Sequence, residues 1–189
     1  MNNKTDSREK ILTTASRLFQ LKGYNATGLS EILKESNSPK GSLYYYFPNG
    51  KEEMAVESIN LANKAIEKSI RTALGKYSNP IKAMQYNIKT IIDELNSEGM
   101  LHDISISLLS LETHLLSEPL REACKKAILV MENAYTEKLI ESGFNKEKAE
   151  ELGIAINLMI EGAITVSVAK RDVSALLVVS TQIELLLNN

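Results

Sequence analysis

The sequence predicts an all-α protein with a small three-helix head at its N-terminus and a longer helical body behind it. Three observations predict this class. Apolar residues recur at three- and four-residue spacing along nearly the whole chain, which is the period of an amphipathic helix. No stretch alternates apolar and polar residues as a half-buried strand does. The segments also begin after asparagine, serine or aspartate, which are typical helix-cap residues.

The charge of the chain is unevenly distributed. The net charge of the 189 residues is −2, with 43% hydrophobic and 24% charged residues, an ordinary globular balance. Residues 1–51 hold eight Lys/Arg and four Asp/Glu, whereas the remainder holds 14 Lys/Arg and 20 Asp/Glu. A basic head on an acidic body favours a nucleic-acid partner for the head. A chance excess in a short window is the alternative.

The single cysteine and the lack of long apolar runs indicate the cellular compartment of the protein. Cys124 is the only cysteine, so no internal disulfide is possible, which fits a reduced cytosol. We interpret it as a packed or half-exposed thiol, with redox sensing as the alternative. The start of the chain, MNNKTDSREK, lacks the apolar core of a signal peptide, and no uncharged apolar run approaches about 20 residues. We therefore expect a soluble, cytoplasmic protein.

The first two helices of the head follow from local signals. An apolar stripe of helical period runs to Phe19, and the helix is expected to end near Lys22-Gly23, where glycine suits a C-terminal turn. Thr27 is the predicted cap of the second helix. Ser36-Asn37-Ser38 breaks that helix, because asparagine tolerates the left-handed backbone of a sharp turn.

The third helix is predicted over about Pro39–Tyr45, with Ser38 as its cap and proline at its first position. Helix, tight turn and helix together form a helix-turn-helix. Lys40 and Ser42 can donate to base edges or phosphates, and Gly41 lets a groove approach the backbone closely. This stretch is therefore the candidate DNA-binding element.

The tyrosines and the next helix extend this element. Tyr44, Tyr45 and Tyr46 point in different directions on a helix, so they are not all core residues; Tyr46 has packing beneath the head as its alternative. Asn49 is the predicted cap of a long helix over about Lys51–Leu74, with Glu52 at the third position, which links head to body. At its start, Lys51 either contacts phosphate or is a solvated lysine.

Five helical segments are predicted in the body, bounded by cap residues, proline and glycine. The second of them is rich in Leu, Ile and Ser and is expected to form one or two largely buried helices. In order, the five segments are Asn79-Pro80 to Gly99, Leu101–Leu116, Ser117 to Gly143, Asn145 to about Lys170, and Val173–Leu187, the last of them after an Asp172 cap.

The last two helices are apolar nearly all round, so a single packed face does not cover them. Two such helices per chain, paired across a twofold axis, would form a four-helix dimer interface. A monomer that buries both helices in its own core is the alternative. The predicted interface residues are Ile156, Ile160, Ala163, Leu176, Leu177 and Ile183.

Three polar residues, Glu112, His114 and Glu161, stand in apolar surroundings, and a buried carboxylate needs a partner. Three interpretations are open: these residues lie at a solvated edge, they bond to neighbouring backbone, or they line a ligand cavity between helices. The candidate ligand-binding residues are Met84, Ile88, Leu108, Glu112, Met131, Tyr135 and Glu161.

Enzymatic chemistry finds little support. Neither histidine has a ligand partner at metal spacing, and there is no nucleophile elbow, phosphate loop or cysteine pair. Glu112-x-His114 has the wrong offset for a helical di-metal site. We expect no enzyme, no metal and no cofactor. A helical dimeric interaction protein whose basic head binds a protein or an acidic surface is the rival class.

The head resembles a known family. The residues that carry the likeness are Gly23-Tyr24, Thr27, Ile32, Lys40–Tyr44, Phe47 and Lys51–Met54. Over about Arg8–Met54 they resemble the N-terminal domain of TetR-family transcriptional repressors, and the run Phe47–Glu53 resembles the LmrA/YxaF-like subgroup. The chain departs from the family pattern at three places: Asn37-Ser38 replaces glycine and an apolar residue, Leu33 replaces alanine, and Tyr46 replaces a common histidine.

This resemblance implies a helix-turn-helix DNA-binding domain at 1–50 and a helical ligand-binding and dimerisation domain at 51–189. It implies a homodimeric repressor that binds an inverted-repeat operator and is released by a small-molecule inducer, of a drug-like or planar aromatic kind. A transcriptional activator of the same fold is the alternative. The residues expected at the DNA are Thr27, Ser38, Lys40, Gly41, Ser42, Tyr44, Tyr45 and Lys51.

Overall fold

The protein is all-α, as predicted, in a computed structural model that describes residues 3–98 and 105–188. These ranges contain no strand. The helices are α1 (Asn3–Ala26), α2 (Leu29–Glu35), α3 (Lys40–Tyr46), α4 (Lys51–Leu74), α5 (Pro80–Glu98), α6 (Ile106–Thr113), α7 (Glu118–Glu141), α8 (Lys146–Lys170) and α9 (Ser174–Asn188).

The chain forms two compact units. The first comprises Met1–Lys64 and Asp103–Ile128, and the second comprises Ala65–His102 and Leu129–Asn189. Helices α4 and α7 contribute residues to both. The predicted linking helix is confirmed with the bounds expected for it, Lys51–Leu74.

In the first unit, α1 packs against α2, α3 and α6. Phe19, Ile32, Leu43 and Phe47 form its apolar centre, each with 1% or less of its surface exposed. The sequence pattern therefore identified the three-helix head, whereas the packing of α6 on α1 joins residues far apart in the chain. Helix α1 is interrupted at Gly23, whose φ of 81° is non-helical, at the place where the glycine was expected to end the helix.

The helix starts of the second unit follow the predicted caps. The N–H of Lys82 donates to Asn79 Oδ1 at 3.0 Å, and the N–H of Lys148 donates to Asn145 Oδ1 at 2.9 Å. Asp172 accepts from the N–H of Ser174 at 2.8 Å. These side chains satisfy donors that the first helical turn leaves free.

The second unit is built around α9, which packs on α5 and α8. Helices α7 and α8 also approach closely, at Gly153. A Cβ added there would lie 2.2 Å from Thr136 Oγ1 and 3.0 Å from the carbonyl oxygen of Glu132. Because real Cβ contacts are longer than this, only glycine permits the two backbones to lie so near each other.

The expected burial around α6 was wrong. One helix, Ile106–Thr113, forms within the predicted segment, and its positions 101–104 lie outside the described residues. Ile106 and Leu109 are buried, but Leu111 exposes 75% and Leu115 exposes 85% of its surface. A helix of about two turns buries one face, and the remaining leucines face outward.

Five of the six residues predicted for the dimer interface are buried in the single chain. Ile156, Ile160, Ala163, Leu176 and Ile183 are each at most 5% exposed within the chain's own second unit. Only Leu177, 55% exposed, lies on the surface. Both helices are apolar beyond their buried face, as expected, and their exposed large apolar residues are Ile154, Leu158, Val166, Val168, Leu177, Val178 and Leu185.

Among the described residues, α8 is long and apolar enough to cross a membrane by length and composition alone. The core helix of a soluble protein passes the same test. Eight residues of α8 are buried against its own unit, which is how such a core helix is placed.

Candidate DNA-binding surface

Helix α2 begins two residues after the predicted cap. Leu29 is its first residue, and Gly28 occupies the cap position without a side-chain hydrogen bond. The hydroxyl of Thr27 donates back to the carbonyl of Gly23 at 2.8 Å, and its N–H donates to the carbonyl of Tyr24 at 3.2 Å. The Thr27 cap was therefore wrong. Thr27 is 1% exposed, and both its hydroxyl and its N–H are bonded within the chain, so its side chain is not presented to DNA.

The turn between α2 and α3 is confirmed, but its predicted cap is not. Asn37 takes the left-handed conformation expected of it, with φ of 49°. Ser38 donates its hydroxyl to the carbonyl of Ser36 at 3.2 Å instead of capping α3. Pro39 stands in the cap position, one residue before the predicted place, and its carbonyl accepts from the N–H of Ser42 at 3.0 Å. The short turn leaves the serine hydroxyl nearer to the end of α2 than to the start of α3.

Helix α3 is anchored by one face and exposed on the other. Leu43 and the following Phe47 are completely buried, and the guanidinium of Arg8 lies 4.9 Å from the centre of the Phe47 ring. Tyr44 and Tyr45 expose 46% and 68% of their surfaces. An anchored helix with an exposed polar first turn is the arrangement by which a recognition helix is presented to a groove.

The first turn of α3 is open. Lys40 and Gly41 are exposed and Ser42 is half-buried. A Cβ added to Gly41 would meet no atom within 4 Å, so the space above its backbone is free. A groove wall or a phosphate can approach the backbone there more closely than at any residue with a side chain.

Tyr46 behaves differently from the two tyrosines before it. It is half-buried, and its ring lies edge-on to that of Tyr45, with centroids 4.9 Å apart and an interplanar angle of 81°. This edge-to-face geometry is a favourable aromatic contact. It supports the packing alternative for Tyr46.

Lys51 is held by an aromatic ring at the start of α4. Its Nζ lies 4.2 Å from the centre of the Tyr24 ring, a cation–π distance. Burial lowers the pKa of Lys51, and the nearby charge of Glu112 acts in the opposite direction. The preceding turn is formed by Gly50, with φ of 63°, and Asn49 donates its N–H to Glu53 at 3.0 Å, one residue beyond the acidic partner expected for it. Lys51 is therefore an ordered cation and not simply a solvated lysine.

Glu112 lies against the break in α1. Its carboxylate accepts from the N–H of Tyr24 at 2.5 Å. A Cβ on Gly23 would lie 2.5 Å from Glu112 Oε1, so glycine makes room for the carboxylate as well as forming the break. Of the three interpretations of this residue, bonding to backbone is the one observed.

The seven candidate ligand-binding residues do not share one unit. Leu108 and Glu112 belong to the first unit, and Leu108 is 45% exposed. The other five, Met84, Ile88, Met131, Tyr135 and Glu161, belong to the second unit. The first four of these are at most 4% exposed. Asn87, which was not among the predicted residues, is 2% exposed and donates to the hydroxyl of Tyr135 at 3.1 Å.

Several cations of the head are used inside it. Arg17 pairs with Glu35 and Lys22 pairs with Glu31. Arg8 pairs with Glu57 through one guanidinium nitrogen, at 2.5 and 2.6 Å. Part of the positive charge of residues 1–51 is therefore neutralised by ion pairs within the protein. The exposed Lys40 and the ring-held Lys51 remain as candidate cations for DNA. Tyr24 carries part of the family likeness but was not among the residues predicted at the DNA; its place directly after Gly23 was the signal for it.

Within the described ranges, no three His, Cys, Asp or Glu side chains are grouped to hold a metal ion. Cys124 is buried, and burial raises the pKa of its thiol, while a hydrogen bond with Ser110 acts in the opposite direction. A raised pKa leaves little of the reactive thiolate at neutral pH. The packed-thiol interpretation of Cys124 is the one that fits.

Comparisons with known proteins agree with this geometry. The family described as "Bacterial regulatory proteins, tetR family" matches residues 11–57, and "Transcriptional regulator LmrA/YxaF-like, C-terminal domain" matches residues 80–182. The HTH-type transcriptional regulator YxaF of Bacillus subtilis (strain 168) is 47% identical over 186 residues, covering 98% of this chain and 97% of YxaF. LmrA of the same strain is 42% identical over 176 residues, covering 93% and 94%.

A third relative gives the fold independently. The HTH-type transcriptional repressor NemR of Escherichia coli (strain K12) is 33% identical over 132 residues, 67% of this chain and 64% of NemR. The crystal structure of its reduced form superposes with a TM-score of 0.84 at 23% identity, covering 94% of this chain and 95% of that one. With the anchored α3 and the matches over both parts of the sequence, these likenesses place the chain: it belongs to the TetR family of helix-turn-helix transcriptional regulators, with a C-terminal domain of the LmrA/YxaF-like type.

Proposed function

We propose that this protein is a dimeric repressor that binds an inverted-repeat operator through two α3 helices and is released by a small-molecule inducer. The observation that carries the proposal is the presentation of α3: Leu43 and Phe47 fix the helix from below, and Lys40, Gly41 and Tyr44 are exposed above. The repressor named NemR, a relative over part of the chain, adds support for the direction of regulation.

The proposed DNA contacts divide by type. Lys40, Gly41, Ser42 and Tyr45 lie on α3 where side chains reach base edges or let a groove approach, and Tyr44 and Lys51 reach phosphates. Ser38, which is half-buried, is proposed to lie at the edge of this surface. Residues 1–50 form the DNA-binding domain in this proposal, and residues 51–189 form the ligand-binding and dimerisation domain. As a cytoplasmic regulator, the protein carries out no chemical step of its own.

Dimerisation is proposed through the outer apolar face of α8 and α9, which is defined by Ile154, Leu158, Val166, Leu177, Val178 and Leu185. Its residues are 40% to 65% exposed in the single chain. A depression of about 380 Å³ lined by both helices, including Gly162 and Ala163, lies on this surface. An exposed apolar face of this extent is typical of a subunit interface, and isologous pairing across a twofold axis would match a palindromic operator.

The inducer is proposed to bind in the second unit near Met84, Met131 and Tyr135. Methionine adapts to the shape of a bound molecule, and the Asn87–Tyr135 pair supplies a polar contact in an otherwise apolar region. A ligand releases DNA only if it binds the two states of the protein with different affinity, and typical coupling is about 1–3 kcal/mol.

The proposal is tested by selecting duplexes from a random pool with the purified protein and footprinting the enriched sequence. We expect an inverted repeat whose half-site centres lie about one helical turn, or a multiple of it, apart. Lys148→Ala, at an exposed lysine of α8 in the second unit, is the control and should select the same sequence. Enrichment of no duplex, together with salt-dependent binding to acidic proteins, would instead favour the helical interaction protein.

A further inference from the structure

The break in α1 is held by two hydrogen bonds to Glu112, a residue far away in the chain. Gly23 turns the backbone with φ of 81°, which frees the N–H of Tyr24 from the helix. Glu112, on α6, accepts that N–H at 2.5 Å. Asn25 donates its side-chain amide to the carbonyl of Glu112 at 3.4 Å, so both the backbone and the side chain of Glu112 face the break.

The side chain of Tyr24 faces the start of α4. Its ring lies 4.2 Å from Nζ of Lys51 on one hand and 5.8 Å from the ring of Phe19 on the other. The ammonium therefore rests on an aromatic face. A ring orients a cation without neutralising it, so the positive charge of Lys51 stays available to a phosphate.

The same region ties the start of α4 to the turn after α6. The hydroxyl of Ser117 donates to the carboxylate of Glu52, the residue next to Lys51, at 2.7 Å. A charge-assisted hydrogen bond of this kind fixes the first turn of α4 relative to the α6–α7 turn. Helix α6, through Glu112, thus holds the backbone that carries the ring beneath Lys51, and the turn after it, through Ser117, holds the helix that carries Lys51.

We propose that Glu112 is a positioning residue for DNA binding: its hydrogen bond to the N–H of Tyr24 sets the ring on which Lys51 rests, and so sets Lys51 against the DNA backbone. The inference rests on the proposed function, in which Lys51 contacts phosphate. Glu112 itself touches no DNA. Its carboxylate accepts from the Tyr24 N–H beside Gly23, and it acts through the conformation at Gly23-Tyr24.

The consequence is measurable as a change in salt dependence. Each phosphate contact that is lost reduces the slope of log affinity against log salt by about one unit, and a dimer loses two. If Lys51 is no longer positioned, Glu112→Ala should reduce the slope by about as much as Lys51→Ala. Glu112→Gln, whose amide oxygen still accepts from the Tyr24 N–H, should keep the wild-type slope.

The experiment is a salt titration of binding to one mixed-sequence duplex by the full-length protein, with four variants: Glu112→Ala, Glu112→Gln, Lys51→Ala and the Glu112→Ala/Lys51→Ala double variant. We expect the double variant to have the slope and affinity of Lys51→Ala alone, because two changes that act through one contact are not additive. Thermal unfolding is recorded for each. A purely structural role of Glu112 would lower the melting temperature and leave the slope unchanged.

A second pair of variants covers the case in which Glu112→Ala does not fold. Tyr24→Leu removes the ring and keeps the backbone N–H, and should reduce the slope as Lys51→Ala does. Tyr24→Phe keeps the ring and should behave as wild type. Equal slopes for Tyr24→Leu and Tyr24→Phe would overturn the proposal.

The remaining outcomes separate this inference from the proposed function. A Glu112→Ala protein with the wild-type slope, or a double variant that loses twice as much as Lys51→Ala, overturns the positioning role while DNA binding stands. A wild-type slope for Lys51→Ala does the same, because the contact on which Glu112 acts is then absent. A wild-type protein that binds no duplex overturns the proposed function and the inference together.

Discussion

The side-chain amide of Asn87 donates to the hydroxyl of Tyr135 at 3.1 Å, and the two residues expose only 2% and 1% of their surfaces. The pair joins α5 to α7 within the second unit. Neutral polar groups in such surroundings are stable only while each has its partner. Burial raises the pKa of the Tyr135 hydroxyl, and the hydrogen bond from Asn87 opposes that shift.

Replacing Tyr135 by phenylalanine should lower the free energy of unfolding by about 1–3 kcal/mol, because the amide of Asn87 is left buried without its acceptor. Urea denaturation of both proteins measures the difference. Tyr86→Phe is the matched control: Tyr86 is half-buried and contacts Tyr77 through its ring, at a centroid distance of 5.7 Å, which phenylalanine preserves. Equal stability of Tyr135→Phe and wild type would show that water or another group satisfies Asn87.

The same hydroxyl should make stability fall at alkaline pH. In the unfolded chain a tyrosine ionises near pH 10, whereas the folded-state pKa of Tyr135 lies higher. Its contribution is therefore fully present below about pH 10 and is lost as the pH rises from there through the folded-state pKa. The stability difference between wild type and Tyr135→Phe, measured from neutral pH upward, should shrink above about pH 10. A constant difference would contradict the raised pKa.

Leu177→Glu should convert the protein into monomers and abolish operator binding, because it places a charge on the outer apolar face of α8 and α9. Leu177 is 55% exposed in the single chain, so the substitution should leave the chain folded. Sedimentation measures the oligomeric state and circular dichroism the fold. Leu61→Glu, at a leucine of α4 that is 51% exposed, is the control and should remain dimeric. A wild-type protein that sediments as a stable monomer at micromolar concentration would rule out this interface.

Gly41→Ala should separate stability from DNA binding. No atom lies within 4 Å of the added Cβ, so the free energy of unfolding should not fall and should rise by up to about 1 kcal/mol. Operator affinity should nevertheless drop, since the methyl group occupies the space that a groove wall is proposed to fill. Urea denaturation and operator titration on the same preparation make the comparison. Unchanged affinity would place the DNA away from the first turn of α3.

Lys40→Ala and Lys51→Ala should change DNA binding in different ways, the first its sequence preference and the second its overall affinity. Loss of a base contact from Lys40 should cost roughly 1–3 kcal/mol of discrimination and relax the preference within each half-site. Loss of Lys51 should weaken operator and scrambled duplexes about equally and reduce the salt slope by about two units for the dimer. Salt titrations with both duplexes measure these effects, and Lys148→Ala provides the charge-matched control. Unchanged operator affinity in both variants would remove residues 38–51 from the DNA-reading surface.

Local chemistry explains which parts of the fold the sequence predicted. Asn79, Asn145 and Asp172 cap helices by bonding an N–H two or three residues away, so the signal and its partner lie in one short stretch. Thr27 and Ser38 carry the same hydroxyl signal, yet both bond backward to carbonyls, because the tight turns bring the preceding helix nearer than the following one. Capping propensity does not distinguish these two directions.

Two features could not be predicted from nearby residues: which face of α8 and α9 is buried, and the partner of Glu112. Helices that are apolar all round have no distinguishable inner face in sequence, so Leu176 and Leu177 were indistinguishable candidates until their packing partners were known. Glu112 and Tyr24 are separated by 88 positions, and nothing near either residue indicates the other. The DNA-binding element was predictable because its anchors, its turn and its exposed face all lie within about one short motif.

The contact between Gly153 and Thr136 has a mechanical consequence. Side chains flank Gly153 on every side of α8, so turning or sliding that helix against α7 would drive one of them into Thr136 or into the Glu132 carbonyl. The contact therefore opposes movement of α8 against α7. In the proposed mechanism, we therefore expect the effect of the inducer to reach the DNA-binding helices through a different pair of elements, and a cross-link between α7 and α8 should leave induction intact.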